Sequence, residues 1–121
     1  MIVAIVKTDN SVEIFHKAEF NLDFIQKIVG GWIEPVHLPN AGTMYCNEEG
    51  KIQKLPHNSI ATIMLELAAG ITDDWIAGDV VVVGPSDEKG DETDLTIGGF
   101  ELIAQAVSIG VMRADAEWRR N

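Results

Sequence analysis

Ile28-Val29-Gly30-Gly31-Trp32-Ile33-Glu34 decides how this chain folds, because a helical pattern and an extended one meet there with two glycines between them. Upstream, Leu22, Ile25, Ile28 and Val29 share one side of a 3.6-residue period. Asn21 can accept from the orphan amides of the first turn, and Asp23 suits the positive helix end. A helix over residues 22–29 is therefore predicted. Gly30 supplies the left-handed conformation that closes it, and Gly31 lets the backbone reverse without a Cβ in the way. Downstream, Trp32-Ile33-Glu34-Pro35-Val36-His37-Leu38 reads as a strand, which Pro35 confines to a sheet edge or a bulge. Trp32, beside the glycines, is expected in the core.

Working outward, residues 1–7 are a β-branched run and residues 12–16 alternate, with Thr8-Asp9-Asn10-Ser11 between them, which makes a hairpin. On the other side, residues 43–47 form a second short strand followed by a tight turn over residues 48–51. Asn58 is placed to cap a helix with Ile60, Ile63, Met64 and Leu67 on its apolar face and Gly70 at its stop. Asp79-Val80-Val81-Val82-Val83-Gly84-Pro85 is the strongest strand, and four successive valines place it centrally, buried on both faces. The last apolar segment carries Phe100, Ile103, Val107 and Val111, broadened by Leu102, Ala106 and Ile109. It predicts a helix from about Gly99 with a break or bend near Gly110. The sum is one α+β domain over residues 1–121, a single mixed or mainly antiparallel sheet with about three helices packed on it.

Composition narrows the function classes. A chain of 121 residues with 46% hydrophobic residues has enough apolar surface to build its own core. No unbroken apolar run reaches the roughly 20 residues of a membrane helix, and the N-terminal run lacks a basic leader region. The single cysteine, Cys46, forms no internal disulfide and fits a reducing, cytoplasmic setting. With 19 acidic against 9 basic residues the formal charge is -10, which disfavours direct contact with phosphate backbones. Cations, or a protein with a basic surface, are the complementary partners.

Four segments resemble a known family: Ile28 through Glu34 as quoted above, Asn47-Glu48-Glu49-Gly50-Lys51, Leu55-Pro56-His57-Asn58, and Ile76-Ala77-Gly78-Asp79-Val80-Val81-Val82-Val83-Gly84. In order and spacing they are similar to domain-of-unknown-function family 3846 over residues 1–84. The acidic loop at 85–95 and the helical extension at 96–121 depart from that pattern. The resemblance implies a small protein of bacteriophages or mobile elements, and it brings no catalytic residues to carry over.

The candidate sites follow from charge and aromatic content. Asp87, Glu88, Asp91, Glu92 and Asp94 lie in one loop with a single lysine, a solvated segment or a docking patch, extended by Asp73, Asp74, Asp79 and Glu101. Asp87, Asp91 and Asp94 supply oxygens suited to a hard cation, although their spacing fails the EF-hand pattern. Trp75 and Trp118 are candidate interface anchors, while Gly30, Gly31, Trp32 and Asn58 are structural, and Asn47 serves a turn. Cys46 with His16, His37 and His57 lacks the paired spacing of a zinc site. No phosphate-cradling glycine motif is present, so catalytic, cofactor and metal assignments are all none.

Three functions compete. The first is a non-enzymatic phage or mobile-element accessory protein that binds, and inhibits, a host protein through its acidic surface in the host cytoplasm. The second is a homo-oligomer that sequesters a nucleotide signal, with Lys51, Lys54, Arg113, Arg119 and Arg120 as phosphate partners. The third is an unrecognised hydrolase or metal enzyme built on Cys46 and the histidines.

Overall fold

The computed structural model describes residues 1–120. Its elements are β1 (Ile2–Val6), β2 (Val12–His16), α1 (Leu22–Val29), β3 (Ile33–Leu38), β4 (Gly42–Asn47), α2 (Ser59–Ala69), β5 (Val80–Val83) and α3 (Ile97–Arg120). The joint at Gly30-Gly31 is built from the residues that announce it. Asn21 Oδ1 accepts from Phe24 N–H at 2.9 Å at the start of α1. Gly30 ends the helix at φ 81°, its N–H donating to the Gln26 carbonyl at 2.8 Å. A Cβ on Gly31 would lie 3.1 Å from Asn47 Nδ2, the atom that donates to the Val29 carbonyl. The second glycine thus makes room for the side chain that satisfies the helix end, linking α1 to β4.

Trp32 corrects the sequence reading. It is 69% exposed, because β3 begins one residue later and Trp32 falls in the bend, where its carbonyl accepts from Glu48 N–H at 2.8 Å. Its ring lies outside α1 in a shallow groove with Asp23, Gln26 and Lys27. Ile33 packs beneath α1 instead.

The five strands form one sheet in the order β2-β1-β5-β4-β3. Every pairing is antiparallel, which settles the choice between mixed and antiparallel. β5 is central as expected, and β3, with Pro35, is an edge. Alternation splits the four valines between two layers. Val80 and Val82 join Ala4, Val6, Met44 and Cys46 under α2 and α3, while Val81 and Val83 join Val3 and Tyr45 under α1. All four are fully buried, each contributing about 1.5–3 kcal/mol of transfer free energy. The sheet is the middle layer of three, and it has no solvent face at its centre.

Asn58 fastens α2 to that sheet. Its Oδ1 accepts from Ala61 N–H at 3.0 Å as the cap, and its Nδ2 donates to the carbonyls of Val6 and Gly78, each at 2.9 Å. The side chain is 0% exposed. α2 ends on Gly70 at φ 69° as expected, but Leu67 is exposed rather than part of its apolar face.

α3 departs furthest from expectation. It starts at Ile97, capped by Thr96 Oγ1 accepting from Gly99 N–H at 3.1 Å, and runs through Gly110 without a break. Packing on α2 holds Gly110 in the helix, where its propensity cost of about 1 kcal/mol is outweighed. Leu102, Ile103 and Ala106 face the core, whereas Phe100 and Val111, assigned to that face, are exposed. By length and composition alone α3 is also long and apolar enough to cross a membrane, although it holds no unbroken apolar run. A core helix can be equally long and apolar, so this does not bear on location.

Candidate functional site

The acidic loop folds back on itself through its own hydrogen bonds. Asp87 Oδ1 turns inward to accept from Lys89 N–H at 2.8 Å and Asp91 N–H at 3.0 Å, closing a turn that Gly90 completes. Gly84 N–H donates to the Thr93 carbonyl at 2.9 Å, and Thr93 Oγ1 donates back to the Pro85 carbonyl at 2.6 Å. Beyond the tip, Glu92 Oε1 accepts from Tyr45 Oη at 2.8 Å, and Asp94 Oδ1 accepts from Ile2 N–H at 3.0 Å on the exposed side of β1. Burial pushes the Tyr45 phenol above its ordinary range, and the Glu92 carboxylate beside it adds to the shift. Asp87, Glu92 and Asp94 are therefore engaged in holding the hairpin. Glu88 and Asp91 present their charge outward.

The proposed extension of the patch has structural duties as well. Asp79 Oδ1 accepts from Thr8 N–H at 2.9 Å. Asp74 pairs with Lys51, whose Nζ also lies 4.2 Å from the centroid of the Trp75 ring. The hydrogen bond from Lys51 holds the Asp74 carboxyl below the usual carboxylate range. Trp75 is 45% exposed and Trp118 is 79% exposed, so both anchor candidates face solvent, and Trp32 joins them. Among the described residues no three of the His, Cys, Asp and Glu side chains gather as a metal site.

Cys46 and the histidines are dispersed. His16 lies on β2 at one sheet edge and His37 on β3 at the other. Cys46 is buried under α2 and α3, and desolvation there pushes its thiol up to about 12, the reverse of an activated nucleophile. Three of the five basic residues named for phosphate are engaged: Arg113 with Glu66 at 3.3 Å, Arg119 with Asp115 at 3.1 Å, and Lys51 as above. Asn47 serves its turn, accepting from Glu49 N–H at 2.8 Å.

A groove between α2 and α3 was not legible in the sequence. It encloses about 350 Å³ and is lined by Asn10, His57, Ser59, Thr62, Arg113 and Glu117 around an apolar floor that includes Ile60, Ile63 and Val107. His57 lies 3.5 Å from both Ser59 Oγ and Thr62 Oγ1. The only advance signal was the cap at Asn58, which puts hydroxyls at the helix start; the approach of α3 is tertiary.

These features define a small acidic α+β domain with a three-layer core, a hydrogen-bonded carboxylate loop and exposed tryptophans. The chain belongs to the family Domain of unknown function (DUF3846), whose model matches residues 1–106 and so takes in the acidic hairpin and the first turns of α3 beyond the four signature segments. No curated protein and no solved structure matches it significantly.

Proposed function

We propose that this domain is a non-enzymatic accessory protein of a phage or mobile element, acting in the host cytoplasm by occupying a basic surface of a host protein and inhibiting it. The observation that carries this reading is the hydrogen-bonded hairpin of residues 85–95. Three of its carboxylates tie the loop to itself and to β1 and β4, which leaves Glu88 and Asp91 exposed on a hydrogen-bonded backbone. A net charge of -10 steers such a surface toward basic partners and away from nucleic acid. Exposed Trp75 and Trp32 supply aromatic contact area of the kind that anchors interfaces.

The test uses the intact chain as bait in host lysate, compared with Glu88→Lys and Asp91→Lys together. Those two sites spare the anchoring carboxylates, so the melting temperature should hold while capture of the partner falls and becomes less sensitive to salt. Capture unchanged by the reversal removes the acidic hairpin from the account.

The groove favours a second reading, a small anionic ligand held over an apolar floor by His57, Ser59 and Arg113, the last exchanging its partner Glu66 for the ligand. Nucleotides screened by thermal shift would raise the melting temperature of the wild type but not of Arg113→Ala. No shift with any nucleotide ends that reading.

A further inference from the structure

Phe100, Ala104, Val107, Val111, Ala114 and Trp118 follow one another along α3 at spacings of four, three, four, three and four residues. That is the a/d rhythm of a helix seam. The domain's own contacts centre on Leu102, Ile103 and Ala106; Val107, at the edge of the seam, is partly buried against the same core and lines the α2 groove with Val111 and Ala114. The seam is a second apolar line: Phe100 is 53%, Val111 64% and Trp118 79% exposed, and both alanines are exposed. From Phe100 to Trp118 it runs about 27 Å at the helical rise of about 1.5 Å per residue.

We propose that α3 pairs with α3 of a second copy of this chain, antiparallel about a two-fold axis near residue 109. Laid against its own reverse, the seam is self-complementary, as a two-fold interface requires. Phe100 meets Trp118 of the other copy, Ala104 meets Ala114, and Val107 meets Val111. The alanine layers let the axes approach to about 8 Å, while the aromatic layers close both ends. With aromatic side chains carrying about 150–250 Å² each, the exposed parts of Phe100, Val111 and Trp118 amount to about 370 Å² per copy. Two copies give about 740 Å² of apolar surface when fully covered, and the alanine layers and polar flanks add to it toward the lower end of the roughly 1,200–2,000 Å² of stable pairs.

Charge sets a distinguishing signature. Glu101, Asp115 and Glu117 flank the seam, and Glu101 comes beside Asp115 of the other copy. Repulsion across the interface is relieved by screening, so pairing tightens as salt rises. Capture of a basic partner by the acidic hairpin weakens with salt, which keeps the two ideas separately testable.

Sedimentation equilibrium of the intact chain from low micromolar to millimolar concentration reads the outcome. The expected particle is twice 13.2 kDa, tighter in higher salt. Trp118→Ala should weaken it at least about thirtyfold, the size of an aromatic hot spot. Val111→Glu, at an exposed helical position, should give a monomer with unchanged circular dichroism. An Ala104→Cys, Ala114→Cys double variant, which keeps the aromatic layers, should cross-link as a covalent pair on oxidation, whereas Ala114→Cys alone should not. A monomer throughout the range, a dimer indifferent to Val111→Glu, self-cross-linking by Ala114→Cys alone, or a monomer that floats with lipid vesicles through the same residues would each overturn the proposal.

Discussion

Replacing Asn58 by alanine separates an ordinary helix cap from a tertiary clamp. In Asn58→Ala, α2 loses the acceptor for Ala61 N–H, and the Val6 and Gly78 carbonyls lose the amide that both receive at 2.9 Å. The cap alone is worth about 1 kcal/mol. Stripping a partner from each of two buried acceptors adds about 1–2 kcal/mol apiece, so the total is about 3–5 kcal/mol. Against a stability of about 5–15 kcal/mol this is a large share, and with a urea m-value of about 2 kcal/mol/M it moves the midpoint by about 2 M. Asn21→Ala is the internal control, since Asn21 is an exposed cap with one bond, to Phe24 N–H, and should cost about 1 kcal/mol or less. Equilibrium urea unfolding of both variants, followed by circular dichroism, gives the comparison. If Asn58→Ala costs no more than Asn21→Ala, the buried amide contributes nothing beyond the cap and the clamp argument fails. Asn58→Asp adds a sign test. It keeps the acceptor but buries a carboxyl that cannot donate when ionised, so its folded pKa rises above about 3.9. Such a variant is least stable at neutral pH and recovers as pH falls toward about 4.

Gly30→Val should cost about 1–2 kcal/mol through the φ of 81° alone, because a Cβ there meets nothing within 4 Å, whereas Gly42→Ala drives a Cβ into the Val83 carbonyl oxygen and should cost distinctly more; equal melting temperatures for the two would refute this. Native Cys46 should resist a thiol reagent that labels it at once in denaturant, and rapid native labelling would show that the thiol is neither buried nor held neutral. The folded state raises the pKa of both Tyr45 and Cys46, the latter to about 12, so the stability they contribute is present below about pH 9 and lost as pH rises toward 12. Unfolding free energy should fall there by about 1.4 kcal/mol per pH unit for each group, and Cys46→Ala should remove one group's share of that slope. Tyr45→Phe should destabilise by about 1 kcal/mol through loss of the bond to Glu92, and an unchanged urea midpoint would place that hydrogen bond outside the folded ensemble.

Local chemistry was sufficient for the elements and their punctuation. Asn21 and Asn58 as caps, Gly30 and Gly70 as stops, the hairpin of β1 and β2, the central place of four valines and the edge strand marked by Pro35 all follow from backbone preferences and short-range periodicity, which act within a few residues. The family signature was legible for the same reason. Tertiary contacts decided what remained. Trp32 faces solvent because the strand starts after it, and α3 passes Gly110 unbroken because α2 lies against it. Three carboxylates of the acidic loop became anchors only when β1 and β4 brought Ile2 and Tyr45 within reach and the loop folded back on Asp87. The groove beside His57 needs two helices far apart in the chain. A period shows that a residue belongs to a face, but which neighbour covers that face is a long-range fact. It was therefore the crossing of α2 and α3 that separated the core side of α3 from its exposed seam.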